Sequence, residues 1–185
     1  WQKKVLHDTR YIENGWSLEW SYNRVVVRSA VWGVVFDSAN PSLNGGIKWN
    51  VPAVGKSMYF FAEAQANSNW IKFNDMKVET VPEAGADYVA YDDFDDGVLD
   101  TSIWTNTSGG SGTLTESGGK ITLQANGGYY ANRGAIRSNG TATLTTGKTV
   151  LLSSLSMEMQ EWAADNVWGL SDESGNNQIY IYTDN

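Results

Sequence analysis

The 185-residue sequence has no cysteine, one histidine and three prolines, and these shortages exclude several kinds of chemistry. Without cysteine there can be no disulfide, thiol nucleophile or thiolate metal ligand. His7 alone cannot build a histidine-based catalytic triad or a multi-histidine metal site. The sequence also lacks the glycine-rich patterns of nucleotide-binding loops. These shortages argue against most familiar catalytic centres.

Basic residues are scarce as well. Thirteen Lys and Arg stand against 21 Asp and Glu, which gives a net charge of -8. Nucleic acids and anionic membranes require a basic surface, so we expect neither as a partner. No apolar run approaches the ~18 residues of a membrane helix, so membrane insertion is not predicted. Neutral partners remain, namely glycans or further copies of the chain.

The start at Trp1, without Met, leads us to expect a processed product or a fragment.

Glycine and aromatic residues are plentiful, with 19 Gly and 12% aromatics, as is typical of short strands joined by tight turns. Apolar and polar residues alternate with a period of two, which predicts strands. In the stretch from Leu155, we expect Met157 and Met159 to share the inward face with Leu155. The strands are predicted over 16–20, 22–28, 31–36, 57–65, 70–80, 120–125, 133–138, 155–160, 167–171 and 178–182. Turn signals such as Asn139-Gly140 separate them. The sequence therefore predicts one all-β domain over 1–185, an antiparallel two-sheet sandwich.

The segment 91–104, YDDFDDGVLDTSIW, resembles the opening of concanavalin A-like lectin and glucanase domains. Segments 118–123 and 167–172 resemble strands that follow it in that superfamily, and 69–78 resembles its closing strand. The resemblance implies a jelly roll in permuted order, in which 88–185 is the first half, 1–82 the second, and 83–87 a linker. Two arrangements remain open. One is a circular permutant within a single chain, whose ends would lie close together. The other is a set of half-sandwiches completed by neighbouring chains, which would build a fibre.

The resemblance also bears on catalysis. Laminarinase-like relatives carry two carboxylates on one strand as E-x-D-x-(x)-E, and retaining hydrolysis needs such a pair. The nearest match here is Glu158-Met159-Gln160-Glu161. Gln160 stands where the family has Asp, and Glu161 has the opposite parity to Glu158. We therefore predict no enzyme, with Glu158 and Gln160 either on a solvated sheet face or binding a ligand.

Aromatic residues alternate with apolar ones in two predicted strands. In 57–65, Met58, Phe60, Ala62 and Ala64 share the inward parity, and in 178–182 the two isoleucines do. Flat rings beside polar side chains suit a saccharide, because its C–H face stacks and its hydroxyls form hydrogen bonds. An interface between copies and plain packing are the alternatives. The predicted carbohydrate-binding or interface residues are Tyr59, Phe61, Glu63, Gln65, Glu158, Gln160, Trp162, Tyr180 and Tyr182.

An acidic run in the opening segment is a candidate Ca²⁺ site, because Ca²⁺ takes oxygen ligands. The residues are Asp92, Asp93, Asp95 and Asp96. The run is not an EF-hand, since Phe94 occupies a ligand position, and a solvated turn is the alternative. No other cofactor is predicted.

The sequence as a whole predicts a non-catalytic extracellular, cell-surface or virion module that binds carbohydrate or packs into an assembly. A purely structural subunit of a fibre or sheath is one alternative. The other is a glycoside hydrolase or lyase whose site is not recognisable in the sequence.

Overall fold

The computed structural model describes residues 5–6, 15–21, 24–44, 55–65, 69–81, 87–127, 131–159 and 166–183. These residues are almost entirely strands and turns, with one helical turn, α1, at Pro41–Asn44. The strands are β1 Val5–Leu6, β2 Trp16–Ser21, β3 Arg24–Ser29, β4 Gly33–Asp37, β5 Ser57–Ala64, β6 Trp70–Val81, β7 Asp87–Asp92, β8 Trp104–Asn106, β9 Thr113–Glu116, β10 Ile121–Gln124, β11 Gly134–Ser138, β12 Ala142–Thr143, β13 Thr149–Met159, β14 Asn166–Ser171 and β15 Gln178–Thr183. Within these residues no helix is long and apolar enough to cross a membrane.

The strands form two sheets. The seven-stranded sheet has the order β1-β15-β14-β5-β11-β8, with β12 paired to β5. The eight-stranded sheet has the order β4-β3-β2-β13-β6-β10-β9, with β7 paired to β6. All pairings among the described strands are antiparallel except that of β1 with β15. The prediction of an all-β antiparallel two-sheet sandwich is thereby confirmed.

The core lies between the two sheets, where side chains of alternating parity meet. Phe60 on β5 lies edge-on to Phe73 on β6, with ring centroids 6.2 Å apart, so the two sheets contact each other directly. Trp104 and Trp168 are also fully buried and touch these rings at 5.8 Å and 6.4 Å. Each large side chain buried in this way stabilises the fold by about 1.5–3 kcal/mol. Aromatic packing across the sheets therefore holds the sandwich together.

Strands from both sides of segment 83–87 interleave in both sheets. β6 pairs with β13 from the pair Val81 and Thr149 to the pair Ile71 and Met159. β14 pairs along its whole length with residues 59–64 of β5. One hydrophobic core contains residues of 16–78 and of 90–181. The two portions of the chain thus share a single core.

The ladder between β6 and β13 contains an irregularity that the sequence pattern did not reveal. It skips the position where Asp75 faces Leu155, and Asp75 has a positive φ of 52°. Both strands shift phase there, so Ser154 is buried and Leu155 is 67% exposed. The expectation that Leu155 shares the inward face with Met157 and Met159 is therefore wrong, because the skipped position of Asp75 and Leu155 reverses the alternation in both strands.

Candidate functional site

The outer face of the seven-stranded sheet brings six of the predicted site residues together. On β5 and the residue that follows it, the inward parity is fully buried, whereas Tyr59, Phe61, Glu63 and Gln65 are half-buried on the outer side. On β15, Ile179 and Ile181 are buried, while Tyr180 and Tyr182 are half-buried. The alternation places all six on one face, which we call the aromatic face.

Phe61 and Tyr180 belong to strands that are not neighbours, because β14 lies between β5 and β15. Gly169 of β14 is in register with both residues. The two rings meet edge to face, with centroids 6.3 Å apart and planes at 67°. A side chain at position 169 would project between them, so glycine allows the contact.

Gly169 is also fixed by the backbone around it. A Cβ atom there would lie 2.1 Å from the carbonyl oxygen of Ile179 and 2.6 Å from the Cα of Tyr180. No other residue fits without moving β15. Sequence reasoning missed this glycine, because the pairing of β14 with β5 joins distant segments of the chain.

Two arginines that sequence reasoning also missed complete the aromatic face. The guanidinium of Arg137 lies 5.3 Å from the ring centroid of Tyr59, a cation–π distance. Arg133 Nε lies 3.6 Å from Glu63 Oε1. Gln65 Nε2 donates to Glu63 Oε2 at 2.6 Å. Rings, a carboxylate, an amide and guanidinium groups therefore alternate over the same sheet surface.

The hydroxyl of Tyr180 remains a hydrogen-bonding group at neutral pH. Burial raises the pKa of Tyr180 above its usual value near 10, because the low-polarity surroundings disfavour the phenolate. A neutral phenol both donates and accepts hydrogen bonds. This suits a hydroxylated ligand.

Glu158 does not belong to the aromatic face. It lies on β13 and points outward from the eight-stranded sheet, on the opposite side of the molecule. Lys120 Nζ forms a hydrogen-bonded ion pair with Glu158 Oε1, and Lys72 Nζ lies 4.0 Å from Glu158 Oε2. The hydrogen bond from Lys120 lowers the pKa of Glu158. The predicted partners Gln160 and Trp162 lie outside the described residues.

Asp92, in the acidic run, binds protein donors. One carboxylate oxygen accepts the amide of Phe94 at 2.9 Å, and the other accepts the indole N–H of Trp104 at 2.9 Å. Phe94 has a positive φ of 57° and is buried. Asp92 thus anchors the turn into the core, while Asp93, Asp95 and Asp96 are exposed.

Glu116 of β9 approaches the same turn, and sequence reasoning missed it. Its Oε1 accepts the amide of Gly97 at 3.0 Å. Burial, and a hydrogen bond with the carboxyl of Asp96, raise the pKa of Glu116. Among the described residues, no group of three or more His, Cys, Asp or Glu side chains has a metal-holding arrangement. Calcium binding by the run stays a prediction.

Fold and surface together define a β-sandwich with an aromatic, polar face on its seven-stranded sheet. No protein-family model, curated protein or solved structure matches the chain.

Proposed function

We propose that this protein is a non-catalytic carbohydrate-binding module of an extracellular, cell-surface or virion structure, and that it binds through the aromatic face. The observation that supports this most is the Phe61–Tyr180 ring pair over Gly169, with charged and amide side chains around it. A pyranose has an apolar C–H face that packs on rings and a rim of hydroxyls that bond to polar neighbours. The aromatic face offers both kinds of contact within one surface.

The polar residues favour a sugar over an apolar protein partner. Interface cores are depleted of charged residues. On the aromatic face, by contrast, the carboxylate of Glu63 stands among the rings. Carboxylates and guanidinium groups are good partners for hydroxyls, because hydrogen bonds to charged groups are stronger than neutral ones.

The surroundings of Glu158 support the non-catalytic part of the proposal. A glycosidase acid needs a raised pKa, and the second carboxylate must lie near it. The described partners of Glu158 are instead two lysine ammonium groups, which favour the ionised form.

Packing into an assembly is the second candidate function, and a different surface favours it. Val31, Trp32 and Leu155 are 58%, 62% and 67% exposed. Large apolar side chains exposed to this degree are common in contact surfaces. A fibre or sheath subunit would use such residues.

We further propose that the sandwich is concanavalin A-like in permuted order. The pairing of β1 with β15 supports a permutant within one chain, because it puts Val5 beside Tyr182. When the chain ends lie close together, they can be linked and the chain can be opened at another loop without disturbing the core. Trp1 and Asn185 themselves lie outside the described residues.

A glycan array tests the proposed function. Wild-type protein should bind at least one glycan class, and Tyr180→Ala and Phe61→Ala should each weaken that binding by about tenfold or more, as expected for a stacking contact. Glu158→Gln is the matched control, since it alters a sequence-predicted residue on the opposite sheet and should bind normally. Near-UV circular dichroism checks the fold of each variant.

Three outcomes would overturn the proposal. The first is that no glycan binds, and the second is that binding persists in both aromatic variants. The third is release of reducing sugar from β-glucans, which would mean that the chain is an enzyme. Filaments under the microscope without glycan binding would favour the structural subunit instead.

A further inference from the structure

The outer face of the eight-stranded sheet holds a groove of about 430 Å³. It lies on the side of the molecule opposite the aromatic face, at the irregularity between β6 and β13. Its lining includes Gly15, Ser17, Arg28, Asp75, Lys77 and Ser153. Four of these form one row across the strands, because Arg28 is in register with Ser17, Ser17 with Ser153, and Ser153 with Lys77. The groove is thus built by the sheet itself.

Asp75 supplies the chemical signal. Its Oδ2 lies 3.3 Å from Lys77 Nζ, whereas its Oδ1 is buried and has no hydrogen-bond partner. A buried acceptor without a partner lowers the stability of the fold by about 1–3 kcal/mol. A ligand that donates a hydrogen bond to this oxygen would recover that cost. The positive φ of Asp75 and the skipped ladder position hold the carboxylate at the groove. Unusual backbone angles often occur at ligand sites.

The charges of the groove are already balanced. Arg28 Nε donates to Glu19 Oε1 at 2.8 Å, and Lys77 is paired with Asp75. An anion or a cation in the groove would compete with these pairs. A neutral ligand that brings O–H donors would leave both pairs intact and satisfy Asp75 Oδ1.

The remaining lining fits the same ligand. Ser17 and Ser153 are half-buried and adjacent, and their hydroxyls both donate and accept. Leu155 offers an exposed aliphatic surface beside them. Gly15 has a φ of 98°, and a Cβ there would lie 2.8 Å from the carbonyl oxygen of Leu155, so only glycine leaves room at this wall.

We propose that this groove binds a single neutral saccharide unit. In the bound state the Asp75 carboxylate turns so that Oδ1, which is closed off from solvent in the free chain, accepts one hydroxyl. The hydroxyls of Ser17 and Ser153 bond to others, and the C–H surface of the sugar packs on Leu155. This site is independent of the aromatic face, so either site can exist without the other.

NMR titration of the full ¹⁵N-labelled chain tests the inference. The probes are the methyl glycosides of glucose, galactose, mannose and N-acetylglucosamine. At least one of them should shift the amide signals of Gly15, Asp75, Lys77 and Ser153 in a saturable manner. Asp75→Asn should weaken this binding about tenfold or more, because a charge-assisted hydrogen bond is lost. Asparagine tolerates a positive φ as aspartate does, so the fold is retained.

Matched serine variants locate the site. Ser153→Ala should weaken binding, whereas Ser156→Ala, on the same strand but outside the groove, should not. Tyr180→Ala should leave the groove shifts unchanged, which separates this site from the aromatic face. The inference fails if no glycoside shifts these signals, if Asp75→Asn binds as well as wild type, or if acetate or an alkylamine binds there in preference to the sugars.

Discussion

The indole N–H of Trp104 donates to one oxygen of Asp92 at 2.9 Å, while the other oxygen accepts the amide of Phe94 at 2.9 Å. A single carboxylate therefore joins a buried ring of the core to a turn with a positive φ. Burial raises the pKa of Asp92, while these two donors act in the opposite direction. Within the acidic run, Asp92 is thus the member tied most firmly into the fold.

Asp92→Asn should destabilise the protein by about 1–3 kcal/mol, because an amide N–H₂ would face one of the two donors. Urea denaturation measures the change. Asp93→Asn is the control on the same loop, and its effect should stay within about 0.5 kcal/mol, since Asp93 is exposed. Equal effects of the two changes would contradict the anchoring role of Asp92.

Glu116 should make stability depend on pH. Its pKa is higher in the folded chain than in the unfolded chain, so the folded state holds the proton more tightly. Stability then falls as pH rises from the ordinary glutamate value near 4.3 through the raised value. Glu116→Gln keeps an acceptor for Gly97 and removes the titration. It should therefore be more stable than wild type at pH 7.

Urea midpoints at several pH values check this expectation. The advantage of Glu116→Gln should shrink as the pH falls towards 4, where wild-type Glu116 is protonated. Asp95→Asn, a change of an exposed carboxylate in the same turn, should show no comparable trend. A Glu116→Gln variant that is less stable than wild type at pH 7 would contradict the account.

The Phe61–Tyr180 contact should be measurable as a coupling energy. A double-mutant cycle with Phe61→Leu and Tyr180→Leu should give about 0.5–1.5 kcal/mol, the usual value of an edge-to-face pair. The same cycle between Phe61 and Tyr88, on the other sheet, should be additive within about 0.3–0.5 kcal/mol. Additivity in the first cycle would mean that the rings do not meet.

Leu155 and Met157 should respond very differently to truncation. Leu155 is 67% exposed and Met157 is 1% exposed. Leu155→Ala should change the free energy of unfolding by less than about 0.5 kcal/mol. Met157→Ala should cost about 2–5 kcal/mol, because it opens a cavity in the core. Thermal or urea denaturation distinguishes them, and a large loss for Leu155→Ala would rule out the phase shift opposite Asp75.

The sequence revealed the local features of this fold and missed the long-range ones. Alternation in 57–65 and 178–182 identified both the strands and their inward faces, because side-chain parity is a local property. Alternation also placed Leu155 with Met157, since the skipped ladder position opposite Asp75 leaves no signature in an apolar–polar pattern. The first six residues of β13, 149–154, were also missed. The apolar Leu151 occupies an outward position there and interrupts the apolar–polar alternation of the sequence.

The candidate site could be predicted only in part, for the same physical reason. Tyr180 and Glu158 both point outward, but which sheet each strand joins is decided by pairings between distant segments. These pairings placed the two residues on opposite sides of the sandwich. They also brought in Gly169 and Arg137, whose roles appear only once β14 and β11 lie beside β15 and β5.

Both proposed binding surfaces require that strands from 1–82 and 88–185 interleave around one core. Separate expression of these two fragments, followed by mixing, tests this most directly by near-UV circular dichroism, which reports packed aromatic rings. Neither fragment alone should give the signal of the intact chain or unfold cooperatively, and mixing the two should restore both properties. Cooperative unfolding of either fragment by itself would show a self-contained core and contradict the account.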